Sequence, residues 1–133
     1  METDGGMILI DVVAGDSAKF DQRFLERNGH PVVMCHGPAH DAMCPILTTA
    51  GCEKVTNAHG IVFSLDLDRP QHRDILARYL EVVRPEVPIR VVVLPGQRER
   101  YAELLDRVEV WEHEPTAVDL DGLAAQVEAV ERA

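Results

Sequence analysis

The sequence predicts a doubly wound α/β domain, a parallel sheet covered by helices on both faces. Two observations carry this. Short, nearly continuous apolar runs recur along the 133 residues, as expected of strands buried on both faces. Between most of them lie segments with apolar residues at helical spacing, so strands and helices alternate. The length suits one domain over residues 1–133 and leaves no room for a second, with residues 1–6 expected to be flexible. No internal repeat or low-complexity tract interrupts it.

Met7 to Val13 (MILIDVV) reads as the first strand. Asp16 or Ser17 can cap the helix that follows. Phe20 and Phe24 recur at i, i+4 with Leu25 beside them, and Gly29 ends the helix as a C′ residue. Pro31 to Cys35 (PVVMC) is the second strand. From His36 to His59 the chain is irregular, with a short helix around Cys52 to Ala58. Gly60 to Leu67 (GIVFSLDL) is the third strand.

Pro70 opens a helix through Val83, with Ile75, Leu76, Tyr79, Leu80 and Val83 on one face. Pro88 to Leu94 (PIRVVVL) is the fourth strand, and Gln97 to Arg107 a short helix. Val108 to Trp111 (VEVW) alternates, which suggests an edge strand. Asp119 caps a last helix with Leu120, Leu123, Ala124, Val127 and Val130 at helical spacing. Five strands joined by right-handed crossovers favour the flavodoxin-like order 2-1-3-4-5, a three-layer sandwich with an irregular second-helix region. In such sheets, sites form at the carboxyl ends of the strands.

Thirteen basic and 23 acidic residues leave a net charge of −10. That charge repels nucleic-acid phosphates and acidic membrane surfaces. No apolar segment approaches a membrane span, and the short acidic start, Met1 to Gly6, lacks the pattern of a signal peptide. The chain is therefore expected in the cytoplasm, without nucleic-acid or membrane partners. Three cysteines in a reducing compartment do not suggest a disulfide framework.

Three passages resemble one family. Leu25-Glu26-Arg27-Asn28-Gly29-His30-Pro31-Val32 resembles the LExxGHxV stretch between the first helix and second strand of response-regulator receiver domains. Leu65-Asp66-Leu67-Asp68-Arg69-Pro70 is similar to their phosphoacceptor strand end, where Pro follows the acceptor Asp by four. Glu114-Pro115, then Asp119-Leu120-Asp121-Gly122-Leu123, resembles the passage from their Lys-Pro pair into the last helix. The order and spacing of the three span nearly the whole chain.

The resemblance implies a phosphoacceptor-equivalent at Asp66 and candidate Mg²⁺ ligands at Asp11 and Asp66, since a hard cation prefers carboxylate oxygen. It also implies missing parts. Asp11 is followed by Val12 and Val13 where the family has an acidic pair, with Asp16 as a distant substitute. Strand four ends in Val93-Leu94-Pro95, without the phosphate-binding hydroxyl. Glu114 stands where the Lys should precede Pro115, and a carboxylate there would repel a phosphoryl group rather than neutralise it. Impaired or absent phosphotransfer is the expectation.

A second feature is the cluster Cys35, His36, His40, Cys44, Cys52 and His59, which contains every cysteine of the chain. Thiolate and imidazole suit Zn²⁺ or iron. The spacing C-x8-C-x7-C lacks the close pairs of structural zinc sites, and Gly37 and Pro38 oppose a helix that would align His36 with His40. Buried inert thiols, a metal or cofactor site, and a redox pair, most readily Cys44 with Cys52, all stay open.

Other chemistries find little support. Gly5-Gly6 precede the first strand, whereas a dinucleotide fingerprint must follow it. Ala14-Gly15-Asp16-Ser17 reads more simply as a capped turn than as an anion loop, and Ser64 lacks a nucleophile-elbow pattern. Trp111 and Tyr101 fall where receivers present their partner surface, so an exposed Trp111 would be an anchor; packing against a helix is the competing reading. The expectation is a stand-alone regulatory or signalling protein, not an enzyme. It would act on a protein partner or pair with itself through the last helix and fifth strand. Two alternatives remain: a redox- or metal-responsive protein using residues 35–59, and a functional phosphoacceptor with an atypical Mg²⁺ site at Asp66.

Overall fold

Five parallel strands in the order β2-β1-β3-β4-β5 form the centre of the molecule, as the alternation of elements predicts. The computed structural model describes residues 6–12, 18–35, 46 and 51–132. The strands are β1 (Ile8–Val12), β2 (Val32–Cys35), β3 (Gly60–Ser64), β4 (Ile89–Val92) and β5 (Glu109–Trp111). The helices are α1 (Lys19–Arg27), α2 (Glu53–Thr56), α3 (Pro70–Val82), α4 (Gln97–Arg100) and α5 (Ala117–Arg132). None of the described helices is long and apolar enough to cross a membrane.

Strand β1 lies between β2 and β3, in register from Ile8 opposite Val32 and Gly60. It is buried along its whole length, which explains a run that is apolar apart from Asp11. Its alternation divides the core in two. Leu9, with Ile61, Phe63 and Val91, faces Ile75, Leu76 and Tyr79 of α3 and Val55 of α2. Ile8, Ile10 and Val12, with Val62 and Trp111, face Leu25 of α1 and Leu120, Leu123, Ala124 and Val127 of α5. Each fully buried side chain of this size contributes about 1.5–3 kcal/mol relative to exposure. The Phe63 and Tyr79 rings meet edge to face at 5.8 Å.

Most helix boundaries follow local chemistry. Pro70 occupies the first turn of α3, where its missing N–H costs nothing. Gly29 follows α1 with φ +88°, a left-handed conformation that glycine adopts without strain. Three boundaries differ from expectation. The N-cap of α1 is Ala18, and its side chain makes no capping bond; Asp16 and Ser17 lie outside the described residues. Helix α5 starts at Ala117, so Asp119 is not its cap. Thr116 Oγ1 accepts the Asp119 N–H at 3.3 Å and Asp119 Oδ2 accepts the Thr116 N–H at 2.9 Å, a reciprocal capping box.

The third difference is α4, which spans four residues before residues 101–107 continue as turns. Its composition favours a longer helix. Tyr101, however, has φ −116° and ψ 33°, outside the helical well. Contacts from other elements hold its side chain, so tertiary context overrides propensity.

At Gly60, α5 packs closely on β3. A Cβ at this position would lie 2.8 Å from Val127 Cγ2. Valine has essentially one χ1 rotamer in a helix and cannot swing aside. Gly60→Ala is therefore expected to lower stability by about 1–3 kcal/mol, read as a fall in the urea midpoint at constant m-value.

Candidate functional site

The loop from β3 to α3 places Asp66 at the carboxyl end of the sheet. Leu65 and Leu67 on either side of it sink into the core beside α3, and Asp66 stays half-buried between them. Its Oδ1 accepts the Asp68 backbone N–H at 2.9 Å and the Gln97 side-chain amide at 3.1 Å. Gln97 is itself buried and its Oε1 accepts the Leu94 N–H at 2.9 Å, so it ties the end of β4 to Asp66. The Asp66 N–H donates to His72 Nδ1 at 3.1 Å. Burial, with Arg69 nearby, holds the His72 pKa below its usual value. A neutral His72 with the proton on Nε2 fits that bond.

Two residues on, Asp68 gathers a second cluster. Its Oδ1 accepts from the Tyr101 hydroxyl at 2.6 Å and from Arg100 Nη1 at 2.7 Å. These bonds, Tyr101's first, hold the Asp68 carboxyl below the usual range. The Arg73 guanidinium lies 5.1 Å from the Tyr101 ring centroid and donates to Leu67 O at 2.8 Å. Tyr101 is thus latched to the β3–α3 loop from two sides. It is half-buried.

Asp11 takes a different place from the one its position suggests. It shares the face of Leu9, so its carboxyl enters the core layer under α3 instead of the open end of the sheet. The Tyr79 hydroxyl donates to Oδ2 at 2.9 Å, while Oδ1 is buried without a hydrogen-bond partner among the described residues. Burial pushes the Asp11 pKa up to about 7, against smaller lowering influences from Tyr79, Cys35 and Lys54. Its register partners are Cys35 and Phe63, whereas Asp66 lies three residues beyond Phe63.

These residues do not fit a Mg²⁺ ion, which demands near-octahedral oxygen ligation. Asp11 is turned into an apolar layer, and Asp66 Oδ1 already serves two donors. Among the described residues no group of three or more His, Cys, Asp or Glu side chains is arranged to hold a metal.

A third acid, which sequence reasoning missed, completes the carboxyl end. A small cavity of about 170 Å³ is lined by Val12, Asp21, Ser64, Val92, Glu114 and Pro115. Burial and then the nearby Glu114 charge push the Asp21 pKa up to about 6. Nothing in the local pattern of α1 marks Asp21, because Glu114 reaches it from 93 positions later in the chain.

The remaining sequence candidates scatter. Cys35 and Cys52 are half-buried against the core layer that holds α3, and Cys52 also forms the backbone N-cap of α2. His59 Nδ1 accepts the Met7 N–H at 3.2 Å, which fastens the start of β1. His36, His40 and Cys44 lie outside the described residues, as do Ala14 to Ser17, which the sequence predicts as a turn. Trp111 is only 6% exposed and packs among Ile10, Leu120 and their neighbours. That corrects its reading as an exposed anchor: on β5 its side chain alternates inward, toward α1 and α5.

No family model matches the sequence, and no curated protein matches it. Solved structures do. The chain is similar to a response regulator receiver domain protein from Clostridium thermocellum, with TM-score 0.64 and 17% identity, covering 96% of this chain and 97% of that one. It is also similar to a CheY-like response regulator receiver domain protein from Methanospirillum hungatei JF-1, with TM-score 0.65 and 16% identity, covering 97% and 98%. Taken with the strand order and the two-layered core, these likenesses give the chain the fold of the response-regulator receiver domains.

Proposed function

We propose that the protein is a receiver-like regulatory protein that acts through protein contacts, with phosphotransfer impaired or absent. The observation that carries this reading is the pairing of Asp21 with Glu114 at the carboxyl end of the sheet. A new phosphoryl group needs cationic or hydrogen-bonding partners at that end. Here the side chain before Pro115 is a carboxylate, and it already raises the pKa of a neighbouring acid. Asp11 supports the same reading, since a core acid held by Tyr79 does not serve a cation at the surface.

Signalling then rests on surface complementarity. The net charge of −10 suits a basic patch on a partner. Val118, 80% exposed on α5, places an apolar side chain on the face proposed for partner or self-association.

Acetyl phosphate with Mg²⁺ is expected to leave the intact mass unchanged, and beryllofluoride with Mg²⁺ to leave the amide spectrum around Asp66 unmoved. Stoichiometric modification at Asp66 would overturn the reading in favour of a functional phosphoacceptor.

A further inference from the structure

A cavity of about 350 Å³ opens at the amino-terminal ends of β4 and β5, the opposite end of the sheet from Asp66. Leu80 of α3, Val83 at its C-cap, Ile89 of β4 and Val108 give it apolar wall. Arg84, Arg90 and Arg107 also line it. They come from the turn after α3, from β4 and from the approach to β5. In a chain with 13 basic and 23 acidic residues, three guanidinium groups against one lining carboxylate, Glu109, reverse the local sign.

The three arginines are not equally engaged. Arg90 is buried, and its side chain is held by Glu109 Oε2 at 3.2 Å and by the Gln126 side-chain carbonyl. Glu109 therefore has its cation. Arg84 approaches Glu86 only at 3.7 Å, with both side chains largely in solvent. Arg107 is exposed and has no hydrogen bond or ion pair among the described residues. Two guanidinium groups thus stand at the cavity with little or no anionic partner, beside one fixed by burial.

Guanidinium groups bind oxyanions through paired N–H···O bonds of fixed geometry. The volume falls within the range of about 300–1,000 Å³ typical of small-molecule sites. We propose that this cavity binds a small organic oxyanion, a carboxylate or phosphate monoester with a short apolar chain. The anion meets Arg84 and Arg107, and the chain lies against Val83, Ile89 and Val108. Arg90, neutralised by Glu109, keeps that carboxylate from competing with the ligand.

Calorimetric titration of the full chain with four probes tests this: sodium hexanoate, butyl phosphate, hexanol and inorganic phosphate. Hexanoate, butyl phosphate or both should bind saturably, one per chain, with hexanol and inorganic phosphate weaker by about tenfold or more. A preference between the first two tells carboxylate from phosphate. Arg84→Gln and Arg107→Gln change exposed side chains, so each should keep the wild-type melting curve while weakening binding by about tenfold. The proposal fails if neither anion saturates by about 10 mM, if hexanol or inorganic phosphate binds as tightly, or if either variant binds like the wild type.

Discussion

Asp11→Asn is expected to stabilise the protein at pH 8 and to leave it nearly unchanged near pH 4. The carboxyl has a folded pKa of about 7 against an ordinary value of 3.8, because burial penalises its charged form. Below about pH 4 the acid is protonated in both states, and its burial carries no ionisation cost. As pH rises from there to about 7, the unfolded chain releases the proton and the folded chain keeps it, so stability falls. Above pH 7 the folded state ionises too and the slope ends. At about 1.4 kcal/mol per pH unit, the interval amounts to on the order of 4 kcal/mol.

Asparagine copies the neutral acid. It still offers an oxygen to the Tyr79 hydroxyl, which sits 2.9 Å from Oδ2 in the native chain. Asp21, whose pKa is also raised, adds a slope of the same sign; Asp68 and Asp119, whose pKa values are lowered, oppose it. Comparing wild type with Asp11→Asn at each pH cancels those shared contributions. Urea unfolding at about pH 3.5–4 and at pH 8 reads the result. Parallel pH profiles for the two proteins would mean that Asp11 is ionised in the fold.

Trp111→Ala is expected to cost about 3–5 kcal/mol, as large aromatic truncations in a packed core do. The indole fills the layer between β5, α1 and α5 and is 6% exposed. A surface anchor would behave otherwise, since truncation away from packed features changes stability by about 0.5 kcal/mol or less. Trp111 is also the one tryptophan in the chain, so its fluorescence reports this site alone. Native emission should be blue-shifted and shielded from iodide, and both properties should vanish on unfolding. Free quenching in the native state would restore the anchor reading.

Much of this was legible in the residues. The run Met7 to Val13 marked a strand buried on both faces, and Ile8–Val12 is buried throughout. Pro70 and Gly29 marked the start of α3 and the end of α1 because each restricts or frees φ regardless of context. The edge position of β5 followed from its alternation. Caps were less legible. Thr116 and Asp119 both suit an N-cap, and only the chain path shows that they bond each other. Helix α4 misled for a similar reason: residues 97–107 favour a helix locally, yet Asp68 of the β3–α3 loop and Arg73 of α3 hold Tyr101.

By itself the sequence determined the order of strands and helices, the parallel sheet and the position of Asp66 at a strand end. Those depend on period and on residues whose preferences are local. Only the tertiary structure decided which layer receives each side chain and what it meets there. It sent Asp11 under α3 to Tyr79, Trp111 inward toward α5, and Asp21 beside Glu114. It also brought Arg84, Arg90 and Arg107 to one cavity. Alternation along a strand separates two faces, but it does not name the group that a distant helix or turn will set opposite them.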